Sequence, residues 1–106
     1  MKLAGMWHIY DMELWDEDYF NMEVRAYVRI NSRGGGQFQF GLVSGSIHGE
    51  IDEEDGKKFE FTWEGNDECD PASGSGWIKL KNENTIKGRI KFHGGDSSKF
   101  WANKAG

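Results

Sequence analysis

The chain has 106 residues and a mass of 12.1 kDa, enough for one hydrophobic core and too little for two. Its 13 lysines and arginines stand against 18 aspartates and glutamates, and the net charge of −5 argues against a nucleic-acid partner and an anionic membrane surface alike. A single cysteine excludes an internal disulfide and a cysteine-based zinc cage, and no apolar run approaches the roughly 18 residues of a membrane helix.

Hydrophobic residues make up 37% of the chain, yet 14% of all residues are aromatic, so a few large rings must do most of the burying. Fifteen glycines and one proline without a fixed period point to tight turns. The opening, MKLAGMWHIY, meets Trp7 and His8 before an apolar h-region develops, so a signal peptide is not expected and a cytoplasmic setting is the default.

In chain order, Gly5 to Met12 reads as a first strand with both faces apolar, which leaves its inward face open. Next, LWDEDYFN places Leu14, Trp15, Asp18 and Tyr19 one turn apart, as in a short helical turn whose rings could plug a barrel mouth. From residue 22 onward, period-two alternation takes over. MEVRAYVRI sets Met22, Val24, Ala26, Val28 and Ile30 on one face. QFQFGL does so with Phe38, Phe40 and Leu42, and SIHGEI with Ile47, Gly49 and Ile51. KFEFTWE aligns Phe59, Phe61 and Trp63, and WIKLK offers Ile78 and Leu80. TIKGRIKF offers Ile86, Gly88, Ile90 and Phe92, and KFWA closes with Phe100 and Ala102.

These make eight strands in one domain spanning residues 1–106. One apolar and one polar face per strand means antiparallel pairing, and without a long amphipathic helix to cover it the sheet must close on itself. Mostly short connections build a meander, so the expected fold is an all-β, antiparallel, eight-stranded up-and-down barrel or flattened roll. The longest connection is expected at GNDECDPASGSG, Gly65 to Gly76, which holds the only proline and the only cysteine.

A meander alternates the ends at which its connections lie. LWDEDYFN, VSG, GNDECDPASGSG and HGGDSS then share one end, and NSRGGG, DEEDGK and NENT the other. Elaborate loops on a rigid scaffold are where function gathers. The candidate binding residues are therefore Trp15, Asp16, Asp67, Glu68, Asp70, His93, Asp96 and Ser97.

Three chemistries compete for this set. Asp67, Glu68 and Asp70 with Asn66 and Asp96 could ligate a hard cation, but their spacing matches no EF-hand, and caps on turn amides are the simpler role, so no metal or cofactor is expected. His93 with Asp96 and Ser97 or Ser98, or with Cys69, has the residue types of nucleophilic catalysis, yet neither serine sits in a G-x-S-x-G elbow. The third is a small ligand inside the barrel, where Gly41, Gly49 and Gly88 could open room among the rings; a filled core is the simpler outcome.

At AGMWHI, Gly5 and Trp7 resemble the Gly-x-Trp on the first strand of calycin-type barrels such as lipocalins and avidins. FTWEGNDE with SGSGW, followed by FHGGDSSKFWA, also resembles a family of small bacterial proteins, a likeness that implies the fold and transfers no catalytic residue. The calycin likeness implies a small-molecule binder. The expectation is a bacterial barrel that binds a small molecule or protein partner through its loop-rich end without catalysis, with oligomerisation through Trp77 or Trp101 open. The alternative is a small hydrolase- or isomerase-type enzyme using His93 with Asp96 and the 67–70 acids.

Overall fold

The computed structural model describes residues 3–51 and 58–105. Eight strands run in chain order: β1 (Gly5–Met12), β2 (Tyr27–Ile30), β3 (Gly35–Phe40), β4 (Val43–Ile51), β5 (Lys58–Asp67), β6 (Asp70–Asn82), β7 (Thr85–Phe92) and β8 (Ser97–Lys104). One short helix, α1 (Glu17–Phe20), lies between β1 and β2. Each strand pairs antiparallel with the next, and β8 returns to β1, which closes the barrel. Among the described residues the closed order leaves no edge strand.

The alternation seen in the sequence is the alternation of burial. Phe38 and Phe40, Phe59, Phe61 and Trp63, Ile86 and Ile90, and Phe100 and Ala102 all point inward and are buried. In β1 the inward residues are Trp7, Ile9 and Met12. A bulge between Ile9 and Asp11 changes the parity of the strand, which is why both of its faces carry apolar residues. Trp7 is fully buried near the N-terminal end of β1, and its indole N–H donates to the Leu3 carbonyl at 2.9 Å.

The β3–β4 connection lies at Gly41 and Leu42, so VSG, expected as that turn, instead opens β4. Two larger expectations also fail in detail. Gly65 to Gly76 is not a loop: β5 runs to Asp67, β6 begins at Asp70, and only Glu68 and Cys69 turn between them. The glycines and serines there lie in strand, paired as Trp63 with Gly74, Phe61 with Gly76 and Gly65 with Ala72. Glycine inside a strand marks a close approach rather than a turn, and here the approaching groups are rings and backbone. A Cβ on Gly74 would run into the Lys91 backbone carbonyl and would also lie 2.9 Å from the Trp63 indole nitrogen, which itself donates to that carbonyl at 3.2 Å.

The second miss is the start of β2. Met22 and Val24 are exposed, 52% and 42%, because the chain there is irregular and the strand begins only at Tyr27. Asn21 accepts from the Ala26 amide at 2.8 Å across this stretch, so a side chain satisfies a backbone donor that a ladder would otherwise have used. The turn expected within 52–57 lies outside the described residues.

Ring against glycine recurs through the interior. The Phe59 ring lies against Gly49 on β4 and the Phe61 ring against Gly76 on β6, while Trp63 and Phe38 lie against Gly45 and Phe100 against Gly88. A Cβ on Gly88 would stand 2.5 Å from two carbons of the Phe100 ring and 2.7 Å from the Trp77 carbonyl oxygen. Gly88→Ala should therefore destabilise the fold by about 1–3 kcal/mol, read from urea unfolding, through overpacking. Adding Phe100→Leu should recover part of that loss. An unchanged midpoint for Gly88→Ala would contradict this packing.

Candidate functional site

Because strand order follows chain order, the connections at 13–26, 41–42, 68–69 and 93–96 share one end, and those at 31–34 and 83–84 share the other. The end carrying α1 is closed by rings. Trp15 is half-buried, with its centroid 5.1 Å from Phe40 and 6.1 Å from both Tyr19 and Phe92. Beneath it Phe92 meets Trp63 at 5.2 Å. Phe20 is buried, and its carbonyl accepts from the Gly41 amide at 2.9 Å, tying α1 to the β3–β4 turn. This segment is the plug that its one-turn spacing suggests.

The polar candidates are occupied locally. Asp16 is the N-cap of α1 and accepts from the Tyr19 amide at 3.1 Å. Asp67 and Asp70 face each other across the Glu68–Cys69 turn, and all four side chains are exposed. Glu68 holds a left-handed backbone, φ 59°, and its amide donates to the Leu42 carbonyl at 2.8 Å, so the turn is anchored through its main chain. His93 is exposed, and its amide donates to the Ser73 carbonyl at 2.7 Å.

The catalytic set is not joined. The Ser97 hydroxyl accepts from the Arg89 guanidinium at 2.7 Å. Ser98 is buried, accepts from the Leu14 amide at 3.3 Å and donates to the Lys99 carbonyl at 2.9 Å. Asp96 contributes its carbonyl to the Phe92 amide. Among the described residues no hydrogen bond links His93, Asp96 and either serine, and no three or more His, Cys, Asp or Glu residues cluster as metal ligands.

The strands do bring together a polar groove that the loop-centred reading missed. Cross-strand pairing aligns His48, Thr62, Ser75 and Lys91 in one outward row, with Ser46, Glu64 and Ser73 in the next. Short hydroxyl side chains form the floor between the longer His48, Glu64, Lys91 and His93. The resulting cavity is about 730 Å³ and opens to solvent. A neighbouring groove of about 600 Å³ shares Glu64, Ser73 and His93 with it. The signal was present in the outward positions of SIHGEI and SGSG, once the latter is recognised as strand.

Comparison of the chain with protein-family models, with curated proteins and with solved structures found no match in any of the three.

Two measurements check the local roles. Asp16→Ala should cost about 1 kcal/mol of stability, the ordinary loss for an N-cap, where a purely ligand-facing carboxylate would cost nothing. At His8, burial first and Arg25 second hold the imidazole below its ordinary value of 6.5. The unfolded chain then binds the proton more readily, so stability should fall as pH drops from about 6.5 towards the lower folded value. His8→Gln should flatten the melting-temperature profile across that window.

Proposed function

We propose that this barrel is a non-enzymatic binding protein whose ligand is a small polar molecule held on the outer groove beside the loop-rich end. The observation that supports this reading is the groove itself: hydroxyls of Thr62, Ser73 and Ser75 between two imidazoles, a lysine and a carboxylate. Such an array offers donors and acceptors in both charge states, which suits a ligand bearing hydroxyl or carboxylate groups. The interior is a poor competitor, since the rings that would line a calycin-type cavity lie against one another and against glycines.

His93 is the one member of the sequence-derived set that lines this groove. Asp67, Glu68 and Asp70 lie beyond it at the hairpin tip, where they act on encounter rather than contact. The enzyme alternative, using His93 with Asp96, requires a bound compound to be converted, and binding without turnover separates the two.

The test is a thermal-shift screen of small polar metabolites on the wild type and on Ser75→Phe, which fills the groove floor from an outward position. A ligand at about 100 times its Kd stabilises by about 2.7 kcal/mol, which should raise Tm by roughly 10–20 °C. The shift should vanish in Ser75→Phe and shrink in His93→Ala. A shift that survives both variants would place the site elsewhere, and a flat screen would count against small-ligand binding.

A further inference from the structure

The net charge conceals a division of the molecule. Residues 1–70 carry 16 acidic and 6 basic side chains, whereas residues 71–106 carry 2 acidic and 7 basic. In a barrel whose strands stand in chain order, that second segment is β6, β7 and β8 side by side. Inward positions on β7 and on β8 as far as Ala102 are apolar residues, glycine and Ser98, so Lys87, Arg89, Lys91 and Lys99 point outward, whereas Lys104 at the strand end lies over the Trp7 ring at 5.9 Å.

Register gives the pattern. Trp77, Arg89 and Lys99 form one row across the three strands, and Lys79, Lys87 and Trp101 form the next. The indoles thus stand at opposite corners, roughly 12 Å apart from strand spacing and rise, with Lys87 and Arg89 between them. Ser75, Lys91 and Ser97 extend the pattern on one side, and Asn82, Thr85 and Asn103 on the other.

Both indoles are half-exposed. The Lys79 ammonium sits 5.7 Å from the Trp77 ring centroid, and Ser97 steadies the Arg89 guanidinium at 2.7 Å. Acids border the patch without entering it: Glu60 pairs beside Trp77, Asp11 beside Trp101, and Glu13 accepts from the Lys99 amide at 3.2 Å. Among the described residues the one side-chain ion pair is Lys58 with Glu60, so Lys87, Arg89, Lys91 and Lys99 form no ion pair there, and the Glu13 carboxylate meets Lys99 at its main-chain amide.

We infer that the outer face of β6–β8 binds single-stranded nucleic acid. Charge complementarity selects a polyanion, and the indoles select among polyanions. Single strands expose base faces that stack on aromatic side chains while phosphates meet lysine and arginine. A duplex hides those faces, and an acidic protein would use the cations and gain nothing from two separated rings. A net charge of −5 excludes such a partner only where charge is evenly spread, and a local patch binds through its own field. The inference stands on Trp77, Trp101, Lys87 and Arg89, which do not line the polar groove, while Ser75 and Lys91 at the edge of the patch are shared with it.

The test is titration of the full chain with a short oligothymidylate, followed by tryptophan fluorescence, with duplex DNA, heparin and polyglutamate in parallel. Oligothymidylate should quench the fluorescence and bind at least tenfold more tightly than the other polyanions. Trp77→Leu and Trp101→Leu keep apolar bulk and should each weaken binding about tenfold, while Trp77→Phe and Trp101→Phe restore most of it. Lys87→Gln with Arg89→Gln should reduce the slope of log K against log salt by about 1.4. Absence of binding at low salt would overturn the inference. So would equal binding of all four polyanions that both leucine variants leave intact, which would mark a general cationic surface for acidic partners.

Discussion

An eight-stranded barrel has an interior too narrow for rings to meet at one level unless a neighbouring strand gives up its side chain. This constraint organises the protein. Phe59 lies over Gly49 and Phe61 over Gly76, Trp63 and Phe38 lie over Gly45, and Phe100 lies over Gly88. Each pairing lets a large ring lie close to backbone, so a chain with few aliphatic residues reaches a fully packed core. It also explains why glycine is frequent here while irregular structure is scarce. The backbone freedom of glycine is used at few places, Gly41 at the tight β3–β4 turn among them, where φ is +56°.

The same device decided what could be read from the sequence. Strand count, order, antiparallel pairing and the inward faces of β2 to β8 were legible, because alternation and short connections carry them directly, whereas the bulge in β1 hid its inward face. The stretch from Gly65 to Gly76 was not. Composition there signals a loop, and only the partners of Gly74 and Gly76 across the sheet reveal that the glycines accommodate Trp63 and Phe61. Long-range contact overrides a local signal of this kind. The plug around Trp15 was legible for the opposite reason, since one-turn spacing is local, while the N-capping role of Asp16 emerges only in the structure. Of the candidate site, the grouping of loops at one end followed from topology. The polar groove did not, because its floor sits in the strand that composition disguised.

Packing and plugging together fill the interior and one mouth of the barrel. With the core occupied by Phe38, Phe59, Phe61, Trp63 and Phe100, and one end closed by Trp15 over Phe40 and Phe92, the proposed recognition falls to the outer surface. There the strands present side chains in fixed rows about 4.8 Å apart, a more rigid frame than any loop. Small residues in a row make a groove, and long ones make its walls. Thr62 and Ser75 between His48 and Lys91 are such a row.

A meander barrel also turns position along the chain into direction around an axis. Composition that drifts along the sequence becomes a difference between faces, with no long-range code required. Residues 71–106 are rich in lysine and poor in acid, so their three strands form one cationic face, while the acids gather on the β1–β5 side and at the hairpin tip. At an ionic strength near 0.15 M, charges further apart than about 8 Å are largely screened. A polymer lying across β7 therefore responds to Lys87, Arg89 and Lys91 far more than to acids on the opposite wall. The segregated charge gives one small barrel two distinct electrostatic surfaces, and whole-chain charge describes neither of them.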